Sequence, residues 1–225
     1  MGNEALIHIV DVCGTLVRDD TTLGLLFHHF QSKRSLKGRY WILLLLAAPS
    51  SPLRLAFSVL ERVSGRHWLK HVAVGLLRGE HTSTLEQSAR EYALYLLSHR
   101  RVAAVWVEIE TPLKSHVVIL ASASLEPIVS ALAEQLGVTY VASSLEHLNG
   151  RLTGRYAHDL SGAKELALVE KFGARLMAQP YCAVSDNYSD RELLIGAKKR
   201  FIVVQSLTER GRWADIDAEF LEVGA

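Results

Sequence analysis

The chain has 225 residues, 49% of them hydrophobic and 22% charged, with 25 Lys+Arg against 24 Asp+Glu. That composition describes one globular domain with room for a smaller lobe and excludes a disordered chain. A formal charge of +1 excludes a general nucleic-acid binder, and Cys13 and Cys182 are too few for a disulfide framework, so a cytoplasmic, reducing location is expected. No basic, then apolar, then small-residue leader pattern opens the sequence, in keeping with that expectation.

Ala5 to Val10 is a short apolar run ending at Asp11 and a Gly14-Thr15 turn, which reads as a buried strand and a loop. From about residue 21 to about residue 110, Leu, Ala, His and Arg recur at helical spacing with breaks at Pro49 to Pro52, Gly65 and Gly79, predicting about four or five helices. Strands and helices then alternate. Val117 to Leu120 predicts a strand, and Ser124 to Pro127 a helix start with Ser124 as its cap. Val138 to Val141 predicts another strand, and Asn149-Gly150 a two-residue hairpin turn. Ser161 to Phe172 predicts a helix closed by Gly173, Tyr181 to Val184 a strand, Asp190 to Ala197 a helix, and Phe201 to Val204 the last strand. The alternation implies an α/β fold with a parallel sheet, interrupted after its first strand by an all-helical insertion.

Tyr40 to Leu60 carries one charge, Arg54, and follows Lys33, Arg34, Lys37 and Arg39. The prolines divide it into halves of about ten residues, short of the roughly 20 a spanning helix needs. A buried helical hairpin is expected, with peripheral contact to an anionic membrane through residues 33–60 as the alternative.

Sites on parallel sheets form beyond the carboxyl ends of the strands. The residues there are Asp11, Ser122, Ser185, Asp186 and, one helical turn on, Asp190, with Lys164 at the start of an intervening helix. Carboxylates converging on one edge repel unless a cation joins them. The oxygen-rich set suits Mg2+ completed by water and a substrate phosphate.

These residues resemble the motifs of the haloacid dehalogenase superfamily, in its phosphoserine phosphatase-like branch with a helical cap. Asp11-Val12-Cys13-Gly14-Thr15-Leu16 is similar to the first motif and Leu120-Ala121-Ser122-Ala123-Ser124 to the second. Lys164 within Ser161-Gly162-Ala163-Lys164-Glu165 is similar to the third, and Ser185-Asp186-Asn187-Tyr188-Ser189-Asp190 to the fourth. Asn149 to Gly154 is similar to the hairpin that precedes the motif lysine. The resemblance implies a Rossmann-like core of residues 1–17 and 112–225 and an inserted cap of residues 18–111. It implies a Mg2+-dependent phosphatase with Asp11 as nucleophile, forming an aspartyl-phosphate. Catalytic roles then fall to Asp11, Cys13 and Lys164, and substrate binding to Ser122, the N–H of Ala123, Lys164 and Asn187. Metal binding falls to Asp11, the backbone carbonyl of Cys13, Asp186 and Asp190, the last also able to orient Lys164 or a metal-bound water.

One position departs from the pattern. Family phosphatases usually carry an acid/base Asp two residues after the nucleophile, where this chain has Cys13. A thiol transfers protons less usefully than a tuned carboxyl group, whereas its backbone carbonyl still binds metal. The substrate then has a leaving group needing little protonation, or an acid comes from the cap or substrate, or turnover is lost and the chain is a binding module. A metal-independent dehalogenase is a further alternative that Ser185 and Asn187 fit; Asp186, a like charge beside Asp11, argues against it. The apolar segment from Trp41 to Leu60 is similar in composition to caps acting on lipid-linked phosphates, so a small or lipid-linked phosphate is the expected substrate. His67 and His71 stand at i, i+4 without a third ligand nearby, and Cys182 is expected as a small buried hydrophobe. Oligomeric state is not legible.

Overall fold

The computed structural model describes residues 6–33, 36–48, 51–52, 54–55, 57, 68–115 and 117–223. Strand β1 (Ile7–Val10) is followed by helices α1 (Thr21–Ser32), α2 (Lys37–Ala47), α3 (Trp68–Gly75), α4 (Thr82–His99) and α5 (Ala103–Lys114). Alternation then begins, as the sequence predicts, with β2 (Val118–Leu125), α6 (Glu126–Leu136), β3 (Thr139–Leu148) and β4 (Arg151–His158). The chain continues through α7 (Lys164–Phe172), α8 (Ala174–Ala178), β5 (Tyr181–Ser185), α9 (Arg191–Gly196), β6 (Lys199–Val204) and β7 (Glu219–Glu222).

The strands form one seven-stranded sheet in the order β4-β3-β2-β1-β5-β6-β7. Only the β3–β4 pairing is antiparallel. The fold is thus α/β with a mostly parallel sheet, and a strand beyond Val204 corrects the expectation that Phe201 to Val204 is the last. Glu219–Glu222 escapes sequence reading because an edge strand of four residues, with a charge at each end, has no apolar run to announce it.

Side chains alternate across the sheet, and the two faces feed two apolar clusters. Val10, Leu120, Val184, Phe201 and Val203 join the cluster shared with the helices between β1 and β2. Ile9, Ile119, Ala183, Ile202 and Val204 pack on the opposite side with Leu168 and Leu194. The inserted helices therefore share a core with the sheet rather than hanging from it. Helix α5 touches β1, β2 and β7, so the expected boundary between residues 111 and 112 falls inside a helix laid on the sheet.

The hairpin at Asn149-Gly150 has φ of 50° and 74°, both left-handed, as a type I′ turn requires. Its strands clamp the helical insertion: Gly79 N–H donates to Leu152 O at 2.8 Å, and Leu152 N–H to Glu80 O at 2.8 Å. Helix α6 is capped by Leu125 rather than Ser124, because β2 runs on through Leu125. The Ser124 hydroxyl instead meets Thr21 Oγ1 at 2.5 Å.

Candidate active site

Register sets the site. Val10 pairs with Leu120 on one side and Val184 on the other, which brings Asp11 level with Ala121, just before Ser122, and with the end of β5. The N–H of Asp11 donates to Val184 O at 2.9 Å, closing the junction. Beyond this edge lies a cleft of about 290 Å3, lined on the sheet side by Asp11, Cys13, Ser122, Ala123, Lys164, Asp186 and Asn187. All eight residues expected from sequence lie at this edge, seven of them on the cleft wall and Asp190 behind it.

Lys164 is the first residue of α7 and only 4% exposed. Its Nζ lies 2.9 Å from Asp11 Oδ1 and 2.6 Å from Asp190 Oδ2. A buried ammonium is costly unless paired, and here two carboxylates more than offset burial and raise the lysine above its ordinary value. Asp190 Oδ2 also accepts the Ser185 hydroxyl at 2.6 Å. Of the two roles the sequence suggests for Asp190, this geometry fits the holder of Lys164; as a direct metal ligand its Oδ2 is already engaged twice.

Burial, aided by the charge of Asp190 and opposed by Lys164, raises Asp11 above the ordinary carboxylate range. Its Oδ1 accepts the N–H of Val12 at 2.7 Å. Asp186 is pushed up to about 7 by burial and by the charge of Asp11, against the Thr15 hydroxyl that donates to its Oδ1 at 2.9 Å. Thr15 Oγ1 in turn accepts the Asp186 N–H at 3.0 Å, fixing the loop after β5 to the loop after β1. Gly14 has φ of 73°, and a Cβ there would overlap the Asp186 carboxylate, so the close approach of the two loops requires glycine.

This donor set fits a magnesium ion. Asp11 and Asp186 are hard oxygen ligands whose mutual repulsion a divalent cation would relieve, and the Cys13 carbonyl stands between them in sequence. Among the described residues no group of three or more His, Cys, Asp or Glu side chains is placed to hold a metal ion by itself. Two carboxylates and a carbonyl leave places for water and phosphate, as Mg2+ prefers. His67 lies outside the described residues, so the His67–His71 pair is not seen as one.

The Cys13 thiol is pushed far above its ordinary value, first by burial and then by the charges of Asp20 and Asp11. It stays a thiol and cannot serve as a base. Ser122 Oγ accepts the N–H of Ser124 at 3.2 Å, which leaves its own proton for a ligand. Asn187 lines the cleft, although its Oδ1 is occupied by Ser189 N–H at 3.0 Å.

Residues 9–194 match the family model of the haloacid dehalogenase-like hydrolases. The chain belongs to that family. A protein of unknown function from Bordetella pertussis Tohama I has a similar structure, with a TM-score of 0.71 at 16% identity, covering 97% of this chain and 98% of that one. Cytosolic 5'-nucleotidase IIIB bound to cytidine matches with a TM-score of 0.62 at 15% identity over 96% of this chain and 79% of that one. A phospho-aspartyl intermediate analogue of phosphoserine phosphatase matches with a TM-score of 0.52 at 16% identity, covering 97% of this chain and 93% of that one. At such identities the shared property is the fold. A comparison with curated proteins finds no match.

The opposite wall of the cleft was not legible as part of a site. It consists of Asp20, Thr22, Leu23, Leu69 and Lys70, and Ser161 also lines the cleft. Asp20 caps α1 by accepting Leu23 N–H at 2.9 Å. Its N-cap role was available from the Asp-Thr-Thr-Leu sequence; its nearness to the catalytic edge was not. Elsewhere Arg100 donates to Asp19 Oδ1 at 2.6 Å, while Cys182 is fully buried as expected.

Proposed function

We propose that the chain is a Mg2+-dependent phosphohydrolase that forms an aspartyl-phosphate on Asp11. The observation that carries this reading is Lys164, buried between Asp11 and Asp190 on the wall that also presents Asp186. Such a cluster is costly to fold and has a use in phosphoryl transfer, where the substrate brings negative charge to a buried cation. When bound by Asp11, Asp186 and the Cys13 carbonyl, magnesium would neutralise phosphoryl oxygens. The Ser122 hydroxyl and the N–H of Ala123 hold equatorial oxygens, where transition-state charge gathers. Lys164 orients Asp11 for in-line attack, and Asp190 with Ser185 holds the lysine.

The cleft volume suits a small phosphate or the headgroup of a larger amphiphile. A lipid-linked substrate is favoured by α2, which buries Leu43 and Leu46 yet leaves Trp41 61%, Leu45 59% and Ile42 48% exposed. Among the described residues no helix is long and apolar enough to cross a membrane. A peripheral contact with an anionic bilayer would account for this apolar face, with Lys37 beside it.

Hydrolysis of an aryl phosphate with and without Mg2+, for the wild type and Asp11→Asn, tests the catalytic reading. Loss of activity by about 10³-fold or more is expected in the variant and on chelation. Activity indifferent to both contradicts the reading; no activity in either favours a binding module. Sedimentation with anionic vesicles, lost in Trp41→Glu with Leu45→Glu, is expected for the lipid proposal. Failure of the wild type to sediment removes it.

A further inference from the structure

The helical wall of the cleft holds a cation that the chemistry of the sheet wall leaves without a task. Lys70 projects from α3, its side chain 18% exposed, and donates to the backbone carbonyl of Ala123. Its Nζ is 3.3 Å from Ser161 Oγ and 3.4 Å from Asp159 Oδ1, with the Tyr156 ring centre at 5.2 Å. The two side-chain contacts are long for charge-assisted hydrogen bonds, which center near 2.7–2.9 Å, roughly. The ammonium is thus aimed at three acceptors, two of which hold it loosely.

Stereochemistry gives the aim a meaning. In-line displacement puts the leaving oxygen on the side of phosphorus opposite the nucleophile. With Asp11 and Lys164 below, and Ser122 and Ala123 around the equator, the leaving group points at Asp20, Leu23, Leu69 and Lys70. Lys70 is the cation among these, and Ala123, whose N–H serves the phosphoryl group, offers the carbonyl that positions it. The same carbonyl accepts the Ser143 hydroxyl at 2.9 Å, so the anchor is itself fixed.

Resting on the phosphatase reading above, we propose that Lys70 is the leaving-group acid of this enzyme, supplying from the helical wall the proton that Cys13 cannot. As Asp11 bonds to phosphorus, the bond from phosphorus to the leaving oxygen breaks, its electron pair stays on that oxygen, and a proton from Lys70 makes it an alcohol. The neutral amine then takes a proton from water as the water oxygen bonds to phosphorus. Asp11 departs as a carboxylate, phosphate is released, and Lys70 is an ammonium again. Burial, only partly opposed by Asp159, lowers Lys70 below the ordinary lysine range, which eases the loss of its proton. Asp20 is the rival on this wall; its Oδ1 is already engaged as the cap of α1.

The test compares kcat/KM of the Mg2+-loaded wild type, Lys70→Met, Lys70→Arg and Asp20→Asn on nitrophenyl phosphate and on a simple alkyl phosphate. The nitrophenolate leaves without a proton; the alkoxide does not. Lys70→Met is expected to lose about 10²-fold or more on the alkyl ester and less than about tenfold on the nitrophenyl ester. Because both esters see the same folded fraction, a loss from misfolding lowers both equally and leaves their ratio unchanged. Lys70→Arg keeps the charge but cannot cede a proton, so the alkyl defect should persist. An unchanged ratio in Lys70→Met, full rescue by Lys70→Arg, or a selective alkyl defect confined to Asp20→Asn overturns the assignment while leaving the phosphatase reading standing. A wild type that hydrolyses neither ester removes both.

Discussion

The two walls of the cleft are built differently. On the sheet wall, strand register sets Asp11, Ser122 and Asp186 and a helix start sets Lys164, with ties from one segment to another: Lys164 to Asp11, Thr15 to Asp186. On the helical wall, Asp20, Leu23, Leu69 and Lys70 come from α1 and α3, and Lys70 is the one that reaches across to the sheet side. A wall fixed by backbone pairing can hold several like charges close together, because the alternative geometries are closed to it. A wall made of helix side chains can change its residues without disturbing the strands. On the proposed reading, attack on phosphorus belongs to the first wall and protonation of the leaving group to the second.

Breaking the sheet wall should be the more expensive. Lys164→Met leaves Asp11 and Asp190 buried without their cation, and about 3–5 kcal/mol of stability is expected to go at pH 8. The loss should shrink on acidification, since the orphaned carboxylates can then take up protons. Urea unfolding at pH 8 and pH 5.5 measures it, and an equal loss at both would mean that the cluster's charges do not govern its stability.

Sharpening the comparison means moving a function from one wall to the other. Cys13→Asp puts a carboxyl group on the sheet wall, where the thiol now only offers its carbonyl. About a tenfold rise in alkyl phosphate turnover is expected, and a greater rise in the Lys70→Met background, where no other acid remains. An unchanged or reduced rate would show that proton delivery does not limit the enzyme.

The smallest effect concerns the metal. With Asp186 near 7, a proton competes with magnesium for the same carboxylate below that value. The rise in Tm on adding Mg2+ should therefore be larger at pH 8 than at pH 5.5 by a few degrees, about 1–2 kcal/mol in stability. Calorimetry giving the same shift at both pH values would remove Asp186 from the metal site.

The difference between the walls also explains what the sequence made legible. The strand ends were readable because an apolar run that stops at Asp11 or at Ser185-Asp186 announces both the strand and the polar group beyond it. Lys164 and the Asn149-Gly150 turn were readable from local signals, a helix start and a residue pair suited to left-handed φ. Lys70 and Asp159 lie 89 positions apart and meet only because the β3–β4 hairpin docks on α3 and the segment after it. Nothing in the local pattern of either residue records that contact. Thr15 was visible inside a motif, but its service to Asp186 depends on Gly14 letting two loops touch. The edge strand Glu219–Glu222 was lost because its two apolar residues, between charges, make no run.

Chemical trapping tests the central claim most directly. Wild-type chain turning over an aryl phosphate with Mg2+ is quenched in acid, reduced with borohydride and mapped by mass spectrometry. An acyl phosphate on Asp11 would be reduced to homoserine at that position alone, and the product should vanish when Mg2+ is withheld. Turnover with Asp11 recovered unchanged, or with the modification on a different residue, would contradict the account.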